Sequence, residues 1–142
     1  MLVSIVIPCY NSEHTIGKVV ELAIQEFEKL ENYECEFVLV NDYSRDGTWN
    51  SIRSLTDRYP NVKGINLAKN FGQHNAIMAA LSQAEGDLIV GMDDDMQNHP
   101  SQIPQFLNKM EEGYDIVFGV FKQRKFSAFK NLTGAVSRFL LW

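Results

Sequence analysis

The sequence predicts an α/β fold in which helices cover both faces of a mostly parallel β-sheet. Short apolar runs rich in Val and Ile alternate along the chain with longer segments whose apolar residues recur at helical spacing. With 142 residues, of which 45% are hydrophobic, the chain is long enough for one sizeable core and too short for two. The strict alternation of strands and helices implies right-handed crossovers between parallel strands.

Two strand–helix units are predicted in the first 60 residues. The runs LVSIVIP and CEFVLVN form the strands, because Val, Ile and Phe favour extended backbone. One helix follows LVSIVIP, and the second helix is GTWNSIRSLTDRY, which ends before Pro60. The apolar side chains expected to face the core are Ile16, Val19, Val20, Ala23, Ile24 and Phe27 in the first helix and Trp49, Ile52 and Leu55 in the second.

Two further strand–helix units and a last strand are predicted after them. VKGINL is the third strand, and HNAIMAALSQA is the third helix. DLIVGMD is the fourth strand, and its nearly continuous apolar run predicts burial on both faces. PSQIPQFLNKMEEG is the fourth helix, and YDIVFGVF completes the predicted sheet as a fifth strand.

Four loops are expected to share one edge of this sheet, because ligands of parallel sheets bind beyond the carboxyl ends of the strands. In chain order these loops are PCYNSE, NDYSRDGT, AKNFGQHNA and MDDDMQNH. They make that edge acidic and aromatic, which excludes several classes of nucleotide-binding protein. Neither G-x-G-x-x-G nor G-x-x-x-x-G-K-[ST] occurs, so a dinucleotide-dependent oxidoreductase and a P-loop NTPase are not predicted.

Three consecutive carboxylates, Asp93, Asp94 and Asp95, are the most informative feature of this edge. Adjacent Asp side chains repel one another and favour neither helix nor strand, so secondary structure alone does not explain them. A solvated acidic turn is one interpretation. The other is a site for a hard divalent cation, Mg²⁺ or Mn²⁺, which would allow a nucleotide diphosphate to approach the carboxylates.

Other side chains of the four loops suit a nucleoside. Tyr10 offers a ring face for a base, Asn11 an amide for the edge of the base, and Asp42 a carboxylate for a base N–H or a ribose hydroxyl. Two of them also have a structural alternative. Tyr10 can simply cover the end of the sheet, and Asp42 can cap the turn that follows it.

Histidine and cysteine do not predict a metal or redox centre. His14, His74 and His99 are too scattered for a zinc site built from residues close in sequence. Cys9 and Cys35 fit no ligand or redox spacing, and we expect them to be reduced thiols in a cytosolic compartment. The N-terminal run lacks the basic start and the length of a signal peptide, so the chain as given is predicted to be soluble and not exported.

Four sequence blocks carry a resemblance to a known family. The blocks VSIVIPCYNSEHTI, FVLVNDYSRDGT, NLAKNFGQHNAIMAAL and GDLIVGMDDDMQNHPSQIPQFL together resemble the family-2 inverting glycosyltransferases of GT-A fold. Within that family they are most similar to bacterial enzymes that transfer a sugar to a polyprenyl phosphate, either undecaprenyl or dolichyl phosphate. The resemblance covers most of the chain and implies a Rossmann-like, nucleotide-sugar-binding GT-A domain over residues 1–121.

The resemblance also implies roles for individual residues at the ends of the first two strands. In the family, the positions of Pro8, Tyr10, Asn11 and Glu13 line the nucleoside pocket, and that of Asp42 binds the base. These roles are implied for this chain by the matching motifs alone. The donor would accordingly be a nucleotide-diphosphate sugar.

The acidic loop matches the family's Asp-x-Asp-x-Gln motif. Asp93 then faces the ribose or sugar and, with Asp95, holds Mg²⁺ or Mn²⁺, while Gln97 lies near the donor. Asp94 falls on the variable middle position and receives no role. Ser12 departs from the pattern, because many polyprenyl-phosphate enzymes have Glu directly after Tyr-Asn; both UDP and GDP therefore remain open as the nucleotide.

The chemistry implied by the resemblance is a sugar transfer with inversion. A cation that neutralises the departing diphosphate would lower the barrier to breaking the anomeric bond. An acceptor oxygen usually needs a carboxylate base, although a phosphate acceptor is already anionic. No catalytic residue is assigned here, and a general base is expected beyond Trp142, because the chain stops inside an apolar helical pattern and resembles the front portion of a longer enzyme.

The last part of the chain differs in charge from the rest. All 18 acidic residues lie between Glu13 and Asp115, although the net charge of the whole chain is only −5. The segment 122–142 has the spacing of a basic amphipathic helix on a membrane surface, or of a helix packing on further sequence. It would begin an acceptor- or membrane-facing region at the cytoplasmic face of the membrane. Its basic residues are Lys122, Arg124, Lys125, Lys130 and Arg138.

Two other classes of protein can share this fold. A nucleotidyltransferase that makes sugar nucleotides would carry a Gly- and base-rich loop where this chain has PCYNSE. A magnesium-binding receiver-type module would need acidic residues after the first strand and a phosphorylated Asp in the position of AKNF. Self-association is expected from exposed apolar residues at the chain end, and nucleic acid is not an expected partner.

Overall fold

The computed structural model describes residues 1–119 of the chain. Strands and helices alternate as the sequence predicts, and a short 3₁₀ turn, Pro100–Gln102, precedes the last helix. One compact unit comprises Met1–Asn108, and a second begins at Lys109, of which residues 109–119 are described. The elements are β1 (Leu2–Cys9), α1 (Ile16–Phe27), β2 (Glu34–Asn41), α2 (Thr48–Arg58), β3 (Val62–Asn66), α3 (Gln73–Leu81), β4 (Leu88–Gly91) and α4 (Ile103–Glu111).

The sheet has four parallel strands in the order β3-β2-β1-β4. β1 and β2 pair along their whole length, from Leu2 opposite Glu34 to Cys9 opposite Asn41. Because all four strands point the same way, the loops that follow them emerge at one edge of the sheet. The predicted common edge is therefore confirmed.

Helices cover both faces of the sheet, as predicted. On one face, alternate residues of β1 and β2, among them Ile5 and Phe37, pack against α1 and α2. On the other face, Val38 and Val40 of β2 pack against Ala76 and Ala80 of α3. Small alanine side chains bring α3 close to the strands, which fixes the position of the loop that leads into this helix.

A buried carboxylate, Glu36, joins three strands at the end of the sheet away from the shared edge. It accepts hydrogen bonds from the Ser4 hydroxyl and from the N–H of Glu85, and Lys63 Nζ lies 2.9 Å from its Oε2. Burial acts to raise the pKa of Glu36, but the hydrogen bonds from Lys63, Ser4 and Glu85 and the charge of Lys63 outweigh burial and hold that pKa below its usual range.

The predicted burial of β4 on both faces is wrong. Leu88 and Val90 pack against the core, whereas Ile89 is 47% exposed. In the described part of the chain β4 is an edge strand, with β1 on one side only. Since α3 packs on β1 and β2, it leaves the outer face of β4 uncovered.

The predicted fifth strand is also not observed: residues 114–119 form no strand in the structure. Ile116 and Phe118 are 68% and 81% exposed, although their type favours extended structure. Strand propensity is realised only where a neighbouring strand supplies hydrogen bonds and packing. The remainder of the predicted strand and the basic segment 122–142 lie outside the described residues. Within residues 1–119, no helix combines the length and apolar character needed to cross a bilayer.

Candidate functional site

A cavity of about 540 Å³ lies where the four loops meet. This volume is within the range of small-molecule sites. Each of the four loops contributes to the wall, so the structure brings together residues that are far apart in sequence. The lining residues are Pro8, Cys9, Tyr10, Asp42, Asn70, Gly72, Gln73, Asp93, Asp94 and Asp95.

Tyr10 follows the last residue of β1 and lines the cavity with its side chain half exposed. Pro8, inside β1, contributes to the same wall. A half-exposed aromatic ring beside a cavity can stack on a planar ligand, because its apolar face is not already covered. The geometry thus suits the predicted contact of Tyr10 with a base.

Asn11 and Glu13 are not among the lining residues, and they tie the first two loops together instead. Asn11 Oδ1 accepts the N–H of Arg45 at 3.0 Å, and the N–H of Asn11 donates to Ser44 Oγ at the same distance. Glu13 Oε2 accepts the N–H of Gly47 at 2.9 Å. In the structure these two side chains hold the shape of the β1–α1 and β2–α2 loops, and their predicted contact with a nucleoside remains a prediction.

Asp42 is buried, lines the cavity and anchors the loop between β3 and α3. Its Oδ1 accepts the N–H of Phe71 at 2.7 Å, and its Oδ2 accepts the N–H of Gly72 at 2.8 Å. The alternative that Asp42 caps the following turn is wrong, because Asn41 Oδ1 accepts the N–H of Ser44 there. A carboxylate has about four acceptor positions, so Asp42 retains capacity for a ligand N–H.

Asp93 is held by two side-chain amides. Gln73 Nε2, at the start of α3, donates to Oδ1 at 3.3 Å, and Asn98 Nδ2 donates to Oδ2 at 3.0 Å. The sequence places both Gln73 and Asn98 in loops of the shared edge but predicts a role for neither. An amide side chain in a loop is too common to mark a site without its partner in view.

Asp94 and Asp95 bond to backbone N–H groups rather than to side chains. Asp94 Oδ2 accepts the N–H of Tyr10 at 3.0 Å, so the middle carboxylate links the acidic loop to the end of β1. Asp95 Oδ1 accepts the N–H of Gln97 at 2.9 Å across a tight turn. The side chain of Gln97 is not part of the cavity wall. Each of the three carboxylates therefore has a different partner.

Cys9 lines the cavity but is unsuited to act as a nucleophile. Burial, and then the charge of nearby Asp94, raise the pKa of the Cys9 thiol far above its usual range. The thiol stays protonated at neutral pH, whereas a nucleophilic cysteine needs a thiolate. Cys9 is therefore not a candidate nucleophile.

The carboxylates of the acidic loop offer the hard oxygen donors that Mg²⁺ and Mn²⁺ prefer. Among residues 1–119, no three His, Cys, Asp or Glu side chains converge into a ready-made metal cage. Magnesium commonly binds through one or two carboxylates and completes its shell with phosphate oxygens and water. Asp93 and Asp95 fit a cation of that kind, whereas none of the three histidines lines the cavity.

Comparison with known proteins relates this architecture to one enzyme family. Residues 4–134 match the family described as Glycosyl transferase family 2. A relative from Proteus mirabilis (strain HI4320), named undecaprenyl-phosphate 4-deoxy-4-formamido-L-arabinose transferase, is 40% identical over 129 residues. The match covers 90% of this chain and 39% of that protein, so the chain spans about two fifths of the relative's length.

Solved structures agree with the predicted GT-A fold. Staphylococcus aureus TarS 1–349 superposes with a TM-score of 0.64 over 87% of this chain and 40% of that one, at 24% identity. A mannosyltransferase from Pyrobaculum calidifontis, solved in complex with GDP-Man and Mn²⁺, gives a TM-score of 0.56 at 26% identity over 66% of this chain and 27% of that one. Since the family match runs through all four loops that build the cavity, the chain belongs to glycosyl transferase family 2.

Proposed function

We propose that this chain binds the nucleotide-sugar donor of a metal-dependent, inverting glycosyltransferase whose acceptor is a polyprenyl phosphate. The observation that carries the proposal is the cavity, whose lining combines Tyr10 and Asp42 with the three carboxylates Asp93, Asp94 and Asp95. A nucleoside needs an aromatic face and a hydrogen-bond acceptor, and a cation-bridged diphosphate needs carboxylates nearby; this cavity offers both.

Within this proposal, each side chain has a task that its surroundings permit. The ring of Tyr10 stacks on the base, and Asp42 accepts a base N–H while keeping its bonds to the loop. Asp93 faces the ribose or sugar and, with Asp95, holds Mg²⁺ or Mn²⁺. Pro8, Asn11, Glu13 and Gln97 are assigned to the donor pocket by family resemblance, the two side chains at positions 11 and 13 acting through the loops that they tie.

A bound cation would neutralise the charge that develops on the departing diphosphate. The chain's own contribution is to hold carboxylate oxygens in position and to orient the donor. The mannosyltransferase that is 26% identical was solved with Mn²⁺ and GDP-Man, which supports a divalent cation and a nucleotide-diphosphate sugar as ligands here. The proposed nucleotide is UDP or GDP.

The acceptor is proposed from the relatives' names rather than from the cavity. The Proteus mirabilis protein is named as a transferase to undecaprenyl phosphate. Because this chain spans only 39% of that relative, we place the acceptor site and any general base beyond Trp142. Segment 122–142 contains five basic residues and no acidic residue, a charge that suits contact with an anionic membrane surface. We place this contact at the cytoplasmic face of the membrane. We also propose that copies of this chain associate with one another.

Thermal unfolding with nucleotide and metal tests donor binding directly. A ligand at one hundred times its Kd stabilises the native state by about 2.7 kcal/mol. We expect UDP or GDP to raise the unfolding temperature when Mn²⁺ is present and to raise it much less in EDTA. Equal stabilisation with Mn²⁺ and with EDTA would remove the metal from the proposal. If neither nucleotide stabilises the protein under any condition, donor binding itself is wrong.

A further inference from the structure

We propose that Gln73 is a positioning residue whose side-chain amide orients Asp93 for the cation-bound donor. The proposal rests on the proposed function and deepens it, since it concerns the same cavity. Gln73 is the first residue of α3, and its Nε2 lies 3.3 Å from Asp93 Oδ1. No role for Gln73 follows from the acidic motif itself, because the residue lies 20 positions before Asp93.

The two oxygens of Asp93 are held from different places. Asn98, which donates to Oδ2, lies five residues after Asp93 in the same loop. Gln73 belongs to α3, so its bond ties the acidic loop to a different element of the fold. A carboxylate that binds a cation works best when outer hydrogen bonds fix its orientation, and removing such a bond commonly weakens metal affinity 10- to 100-fold.

The segment that carries Gln73 is itself fixed. Asp42 accepts the N–H groups of Phe71 and Gly72, the two residues directly before Gln73. Gly72 has φ of 87°, a left-handed conformation that glycine adopts without strain and that directs the chain into α3. Packing of Ala76 and Ala80 on β2 then holds the helix to the sheet. A continuous path therefore leads from the buried Asp42 to the amide of Gln73.

Gln73 is exposed, which separates its effect on ligand binding from any effect on folding. Substitutions of exposed residues change stability by about 0.5 kcal/mol or less. If the contact had no role in ligand binding, its loss would change neither the stability of the fold nor the affinity for metal. A positioning contact would leave folding unchanged and weaken metal binding.

The test compares Gln73→Met with Gln83→Met. Methionine has a similar length to glutamine but no N–H donor. Gln83 is an exposed residue just beyond the end of α3, and its amide bonds the neighbouring backbone carbonyl of Ser82. Mn²⁺ affinity is measured on the whole chain by electron paramagnetic resonance, with UDP or GDP at saturating concentration. We expect Gln73→Met to weaken Mn²⁺ binding about tenfold or more and Gln83→Met to leave it unchanged.

Two further measurements make the result specific. In EDTA, both variants should unfold within about 2 °C of the unmodified chain. In an Asp93→Asn background, Gln73→Met should have little additional effect on Mn²⁺ affinity, because the residue acts through Asp93. A full additional loss in that background would overturn the assignment.

The outcomes separate this proposal from the proposed function. If the unmodified chain and Gln73→Met bind Mn²⁺ equally tightly, the positioning role of Gln73 is refuted and the proposed function still stands. If the unmodified chain does not bind Mn²⁺ with either nucleotide, the proposed function fails, and the contact is then judged by NMR. The side-chain NH₂ signals of Gln73, identified by their loss in Gln73→Met, should shift in Asp93→Ala, and unchanged signals would refute the contact as well.

Discussion

At the scale of single residues, we expect the three neighbouring aspartates to have separable roles, because each bonds to a different group. Asp95→Asn should weaken nucleotide binding in Mn²⁺ by about tenfold or more, since a neutral amide gives up charge next to a divalent ion. Asp57→Asn, on the exposed surface of α2, is the matched control. Isothermal titration with UDP or GDP in Mn²⁺ measures both. If Asp95→Asn binds the nucleotide in Mn²⁺ as tightly as the control does, Asp95 is not a metal ligand.

Asp94 gives a second residue-scale prediction, which depends on its bond to the N–H of Tyr10. Asp94→Asn keeps an oxygen that can accept this N–H, so nucleotide affinity should change little. Asp94→Ala removes the acceptor and should cost about 0.5–1.5 kcal/mol of binding free energy, in EDTA as well as in Mn²⁺. The same titrations serve as the measurement. Should Asp94→Asn prove more damaging than Asp95→Asn, the residues matched to the Asp-x-Asp motif are shifted by one.

The carboxylates and the aromatic residue of the cavity could be predicted from the sequence, because residues of these types directly after a strand are not explained by secondary structure. Asp42, Asp93 and Tyr10 belong to that group. Gln73 and Asn98 were given no role because a side-chain amide indicates a binding site only when the atom that it contacts is known. Which side chain turns into a cavity, and which ties two loops together, depends on backbone geometry that spacing does not specify.

At the scale of elements, the alternation of strands and helices was predictable because each period has its own physical cause. The helix face of Ile16, Val19 and Ala23 is buried as expected. The predictions failed where an element depends on a neighbour in space. Burial of Ile89 needs something over the outer face of β4, and a strand through Ile116 needs a paired edge. The hydrophobic pattern of a segment does not specify which element will lie next to it, so neither condition could be predicted.

The sheet also makes a prediction about pH, through Glu36. The pKa of Glu36 is lowered in the folded chain, so Glu36 contributes stability at pH values above its unfolded pKa, and this contribution is lost as the pH falls through the folded pKa. Glu36→Gln should cost about 1–3 kcal/mol at pH 7 and reduce the loss of stability on acidification. Glu34→Gln, exposed on the same strand, is the control. Urea unfolding between pH 3 and pH 7 measures both, and equal pH profiles for the two variants would contradict the role given to Glu36.

At the scale of the whole molecule, the charge asymmetry of the chain predicts contact with membranes. Segment 122–142 carries five basic and no acidic residues, and each such charge near an anionic surface contributes about 1 kcal/mol. We expect the chain to sediment with liposomes that contain anionic lipid and not with neutral ones. The control replaces Lys125, Lys130 and Arg138 by Gln and should lose binding. Sedimentation that does not depend on anionic lipid would favour packing of this segment on protein instead.

Family membership leaves the nucleotidyltransferase and receiver-type alternatives without support, and the remaining whole-molecule question is how much of the enzyme these 142 residues contain. The cavity holds groups that suit the proposed donor, whereas relatives extend well beyond the matched region, which is 39% of the first relative. We therefore expect residues 1–142 to bind the donor without transferring its sugar, and a version of the chain extended to the length of its relatives to transfer it. Labelled sugar from UDP- or GDP-linked donors, offered undecaprenyl or dolichyl phosphate, is the measurement. Sustained turnover by residues 1–142 alone would contradict this expectation, and the general base would then have to be sought among Asp93, Asp94 and Asp115.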